Sequence, residues 1–253
     1  MENEKTLILQ IKYGGLGDHL FYSHIPRIAK ETGAYEKVYI SNLSEFRHPD
    51  YKKLVWHKNP HVDGFVDGTG IEAEPVKITL GENILDAVML GLGLDDGKRF
   101  HEPELYFQPE IKKELTNKSV YDPNFVSFVG NFGSSDLQKW IEQNKIKIDC
   151  QMKLRDKNIL LKKVSETLQS KSLEDFCSII ISCKELYCLT SGTATLASAL
   201  KKPATCFYGA GQDKNFHHSK MHKYIFIPES FINKTQRKII TFVKNAKNYF
   251  KIA

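Results

Sequence analysis

What most constrains this chain is a pattern that returns along it. An apolar run of strand length reaches a glycine-bearing turn, and a helical pattern follows. TLILQIKY (6–13) runs into Gly14-Gly15-Leu16-Gly17-Asp18, and helical spacing continues to about Lys30. ELYCL (185–189) runs into Ser191-Gly192 and the helix GTATLASAL (192–200), after which Pro203 leads the strand ATCFYG (204–209). Strands separated by helices return to the sheet by crossovers, so they pair in parallel. KVYIS (37–41), the short VDGFVD (62–67), FVSFVG (125–130) and IDCQM (148–152) read as further strands. ENILDAVMLGLGL (82–94) reads as a helix, and Ser172 as the cap of another over 173–183. The three prolines of 101–124 (Pro103, Pro109, Pro123) mark that stretch as the linker. The fold class is α/β, with two trimmed Rossmann-like domains facing across a cleft. The expected boundaries are 1–115, 120–232 and a closing helix at 233–253.

Composition narrows the class. With 253 residues, 41% hydrophobic and 26% charged, the chain is of ordinary globular make-up. No apolar run approaches the roughly 20 residues of a membrane helix. The first residues, MENEKTLILQIKYGG, lack the basic start and cleavage site of a signal peptide. Five cysteines without a CxxC pair suit reduced thiols in a cytoplasm. The net charge of +6 lies wholly in 231–253, which holds Lys234, Arg237, Lys238, Lys244, Lys247 and Lys251 and no acid. The body is charge-balanced and lacks the basic field of a nucleic-acid binder. In the tail, Ile239, Phe242, Val243, Ala246, Tyr249 and Phe250 form an apolar stripe at helical spacing. Two roles stay open for it: packing back on the body, or peripheral contact of 234–251 with an anionic membrane. His217, His218 and His222 have only Asp213 nearby, which favours polar loop residues over a metal site.

Three strand-to-helix junctions carry the candidate chemistry. Gly15 and Gly17 let backbone approach a ligand at a helix start, and Asp18 either caps that helix or presents its carboxylate to the cleft. The spacing is not GxGxxG, and Ser41-Asn42 ends the second strand without an acid for a nicotinamide ribose, against a dehydrogenase. Thr190-Ser191-Gly192-Thr193-Ala194-Thr195 gathers hydroxyls and free amides at another helix start. That suits a diphosphate, or a simple Ser/Thr cap. Asn131, Gly133 and Ser134 form a third such turn, followed by Lys139 as a phosphate-reaching cation or a solvated lysine. Trp140 reads as core.

SLEDFCSIIISCKELYCLTSGTATLASALKKPATCFYG (172–209) resembles the donor-binding segment of the ADP-heptose:lipopolysaccharide heptosyltransferase family. KYGGLGDHLFYSHIPRIAK (12–30), NPHVDGFVD (59–67) and FVGNFGSSDLQKW (128–140) are similar to its Gly-Asp loop, its Asn-Pro segment and its glycine strand end. The resemblance implies a GT-B-like, inverting, metal-independent glycosyltransferase. It would need no cofactor and would move a heptose-like sugar from a nucleotide-sugar, ADP-linked, to a glycan or glycolipid acceptor such as lipopolysaccharide or capsule. It implies Asp18 as general base, with Ser191, Gly192, Thr193 and Lys139 on the diphosphate. Thr190 stands where many members carry a sugar-binding Asp, and Thr195 where they carry a His. These two replacements favour the alternative of a non-catalytic nucleotide-sugar or glycan binding protein on the same scaffold.

Overall fold

A computed structural model of the chain describes residues 5–71 and 82–235. The stripe expected in the C-terminal helix lies outside the described residues.

Two all-parallel sheets carry the fold. The first has three strands in the order β1-β2-β3: β1 (Thr6–Leu9), β2 (Lys37–Ser41) and β3 (Gly64–Val66). Helices α1 (Leu16–Tyr22) and α2 (Ile25–Glu31) link β1 to β2. A helical turn α3 (Pro49–Tyr51), continued by a π-helical stretch Lys52–His57, links β2 to β3. Helix α4 (Ile84–Gly91) follows, its start capped by Asn83, whose side chain accepts the Asp86 amide.

The second sheet has six strands: β4 (Ser119–Asp122), β5 (Cys150–Met152), β6 (Glu166–Leu168), β7 (Glu185–Leu189), β8 (Ala204–Tyr208) and β9 (Lys223–Phe226). Their order is β6-β5-β4-β7-β8-β9. This is the order 3-2-1-4-5-6 of a dinucleotide-binding sheet, whose direction reverses between β4 and β7. Helix α5 (Ser134–Gln143) follows β4, α6 (Leu173–Ser182) precedes β7, and α7 (Gly192–Ala199) joins β7 to β8. Ser172 caps α6 by accepting the Asp175 amide, as the sequence led us to expect.

Strand alternation sorts the second sheet's two faces. Val120, Leu186, Cys188 and Cys206 join one apolar cluster, while Tyr121, Tyr187, Leu189 and Phe207 join another. The first cluster does not stop at the sheet. It runs on through Leu196 and Ala197 to Leu20, Ile25, Leu7, Ile40 and Trp56, so both sheets share one interior.

Three local expectations change. FVSFVG (125–130) is not a strand; the strand is β4, inside the stretch read as a linker. Asp122-Pro123 ends β4, and within that apolar run Val126 and Phe128 are exposed while Val129 is buried. Gly130 then adopts φ +95° where its backbone presses on Gly209. The strands β6 and β9 carry no glycine turn to announce them. All five cysteines are buried and free, in keeping with reduced thiols. Among the described residues no helix is long and apolar enough to cross a membrane.

Candidate active site at the start of α7

In doubly wound sheets ligands bind beyond the strand ends, where the strand order reverses. Here that point lies between Asp122, the last residue of β4, and the turn Thr190-Ser191 that follows β7. Ser191 has extended backbone and starts α7 without a side-chain cap bond. Its buried hydroxyl has no hydrogen-bond partner among the described residues. The carbonyl of Ser191 accepts the amides of Ala194 and Thr195, so those are spent. The amides of Gly192 and Thr193 precede the first possible intrahelical bonds, so the helix itself leaves them without a partner.

The neighbouring hydroxyls are engaged. Thr190 donates to Gln212 Oε1 at 2.8 Å, tying the turn to the loop after β8. Thr193 donates to Asp122 Oδ2. Thr195 is buried, and its hydroxyl lies near Gly17.

Gly17 brings the two halves together. A Cβ built on it would stand 3.3 Å from the Gly192 Cα and 3.6 Å from Thr195 Oγ1. Only glycines at both positions let α1 and α7 begin in backbone contact. The helix starts therefore touch here, rather than facing each other over open space. Each helix start carries partial positive charge.

Asp18 sits in the first turn of α1, next to Gly17, partly buried. Its Oδ2 accepts the Gly15 amide at 3.0 Å, so the capping role is real. Its second oxygen makes no hydrogen bond among the described residues. Burial raises the carboxyl above its usual range, against the lowering effects of the Gly15 amide and the Arg47 cation. Arg47 was not singled out in the sequence. Its backbone amide donates to the Gly14 carbonyl at 2.9 Å, and its guanidinium lies 3.5 Å from a Cβ built on Gly15. His19 holds that loop in place. Its Nδ1 accepts from Trp56 Nε1, its Nε2 donates to the Glu45 carbonyl at 2.8 Å, and its ring stacks on Phe46.

The third junction is covered by its own chain. Asp136 accepts the Gly133 amide, and Asn233 Nδ2 reaches Ser135 Oγ and Asp136 Oδ2. Ser134 opens α5 beneath that cover. Asn131 instead bridges to Ala210 through backbone bonds. Lys139 is exposed and makes no ion pair among the described residues. Trp140 is half-buried, edge-on to Phe207 at 5.4 Å. His222 bonds the Ala194 carbonyl and Ala204 amide, which fixes it as a neutral structural residue. No group of three or more His, Cys, Asp or Glu among the described residues is placed to hold a metal ion.

The class these features define is a doubly wound, parallel α/β fold. No family model and no curated protein sequence matches the chain. Solved structures do match its fold. A glycosyl transferase family 9 protein from Veillonella parvula is 12% identical, with a TM-score of 0.58, covering 96% of this chain and 90% of that one. E. coli ADP-heptose lps heptosyltransferase II is 10% identical, with a TM-score of 0.57, covering 87% of this chain and 90% of that one. TibC, an iron-containing dodecameric heptosyltransferase solved with ADP-D-beta-D-heptose, is 12% identical, with a TM-score of 0.61. That match covers 88% of this chain and 62% of TibC. The chain thus has the fold of the heptosyltransferases and glycosyl transferase family 9.

Proposed function

We propose that this protein is an inverting glycosyltransferase that takes a heptose-like sugar from a nucleotide-sugar, ADP-linked, to a surface-glycan acceptor. The observation that carries the reading is the start of α7. The amides of Gly192 and Thr193, which have no intrahelical partner, and the Ser191 hydroxyl, which has no partner among the described residues, lie at the sheet's reversal point, against the loop that holds Asp18. A diphosphate there would receive those donors and the dipole of α7. The neighbours' fold supports the same class of substrate.

In this reading the acceptor hydroxyl approaches the free oxygen of Asp18. The carboxylate takes the hydroxyl proton as oxygen attacks the anomeric carbon from the face opposite the diphosphate. Burial raises the Asp18 carboxyl and so makes it a better base than an exposed helix cap, while the Gly15 amide it accepts works the other way. Negative charge gathering on the leaving diphosphate meets the α7 amides, each well-aimed donor contributing on the order of 3 kcal/mol. Arg47 balances the charge beside Asp18. In this scheme the chain's own amides supply charge stabilisation without a metal, and TibC's iron is not carried over. The basic segment 234–251 would bring the protein to an anionic membrane and its glycolipid acceptor.

A thermal-shift screen of ADP-, UDP-, GDP- and CDP-sugars tests the reading, because a ligand of the folded state raises its melting point. ADP forms are expected to give the largest shift, and no shift with any nucleotide overturns the reading. Asp18→Asn is expected to keep binding and lose roughly 10²–10⁴-fold in transfer or donor hydrolysis. Binding without turnover in the native protein would instead support a nucleotide-sugar binding protein. The commitment of Thr190 to Gln212 and of Asp18 to capping favours that second reading.

A further inference from the structure

Under the start of α7 lies a carboxylate that the proposed chemistry does not use. Asp122 ends β4 at the sheet's reversal point and is buried. Its Oδ2 accepts from Thr193 Oγ1, and its Oδ1 accepts from the amide and the side chain of Asn124. The other titratable groups around it are Tyr121 on its own strand, Cys188 opposite it on β7, and Arg155 in the segment after β5. No cation makes a direct ion pair with it among the described residues.

The hydroxyl of Thr193 has one hydrogen. While Asp122 is ionised, that hydrogen is held by the carboxylate, and only oxygen lone pairs are left to face an incoming anion. The buried negative charge also opposes a diphosphate bound at the start of α7. A proton on Asp122 removes both obstacles. The carboxyl then donates to Thr193, and the Thr193 hydrogen turns toward the ligand.

We propose that Asp122 is a positioning residue that acts through Thr193, so that the diphosphate binds together with one proton. The balance is simple: ionised Asp122, the diphosphate and one proton give the complex with neutral Asp122, and no bond is made or broken otherwise. Burial already moves the Asp122 carboxyl toward the neutral form, and bound anion moves it further. The inference rests on the α7 site proposed above.

The test is calorimetric titration of the native protein with ADP-glucose, a diphosphate diester with no phosphate proton to lose near neutrality. Runs in buffers of different ionisation enthalpy count the protons taken up. The expected result is uptake of up to one proton, with affinity tightening as pH falls, by at most about tenfold per pH unit. Asp122→Asn is expected to abolish the uptake and flatten the pH dependence. Thr193→Val is expected to weaken binding, and Thr193→Ser to restore both affinity and uptake. Binding with no proton uptake in the native protein overturns the role of Asp122 and leaves the site intact. Failure of ADP-glucose and of every other nucleotide-sugar to bind overturns the site itself, and the inference with it. A purely structural Asp122 would lower the melting point of Asp122→Asn without any proton uptake in the parent.

Discussion

Single residues decide how closely the two helix starts meet. At Gly17 a methyl group would stand 3.3 Å from the Gly192 Cα, so Gly17→Ala must push the backbones apart. Overpacking of this kind costs about 1–3 kcal/mol, which urea unfolding will show, and the nucleotide-induced thermal shift should shrink in step. Gly130 is stricter. A Cβ there would lie 2.3 Å from the Gly209 carbonyl oxygen at φ +95°, so Gly130→Ala is expected to leave little folded protein, as measured by soluble yield and circular dichroism. Asp18 and Ser191-Gly192 were legible in the sequence because a strand, a glycine turn and a helix lie next to one another along the chain. Arg47 was not. Its place depends on Phe46 and Glu45 folding back onto His19, a contact between residues 26 apart that no periodicity encodes.

At the scale of elements, hydrogen bonds at the ends explain which readings held. Ser172 alone accepts the Asp175 amide at the start of α6, so Ser172→Ala is expected to cost about 1 kcal/mol, seen as a lower urea midpoint with unchanged slope. The strands β2 and β7 matched their expected spans because each is an apolar run with a clear stop. The misplaced strand shows the limit of that rule. SVYD (119–122) is short, polar at both ends and next to Pro123, yet Val120 and Tyr121 are fully buried at its centre. FVSFVG (125–130) has the stronger pattern, but its apolar side chains face solvent at Val126 and Phe128. Pairing on both sides, with β5 and β7, outweighed local hydrophobicity.

The whole molecule responds to pH through histidines it has buried. His19 and His218 are held down to about 4 and His24 to about 3, in each case mainly by burial. An imidazole whose folded pKa is depressed binds more protons when unfolded. Its contribution is therefore full above the ordinary value near 6.5 and is lost as pH falls below it. For His19 the loss by pH 4 is about 3 kcal/mol. His101 works in the opposite sense. Its pKa is raised, chiefly by the hydrogen bond to Asp86, so its contribution is full below about 6.5 and fades above its folded value. His217 and His222 are also lowered, chiefly by burial, so the depressed imidazoles outnumber His101, and the urea midpoint is expected to fall between about pH 6.5 and pH 4. A flat profile would show that those imidazoles are hydrated in solution. The interior that holds them passes unbroken from one sheet to the other. Two lobes joined in this way cannot swing apart as jaws without tearing a shared apolar seam. Under the proposed sugar transfer, entry and escape would be timed by small loops at the rim, such as the stretch around Arg47 and the turn that bears Gln212, and the chain should melt in one step.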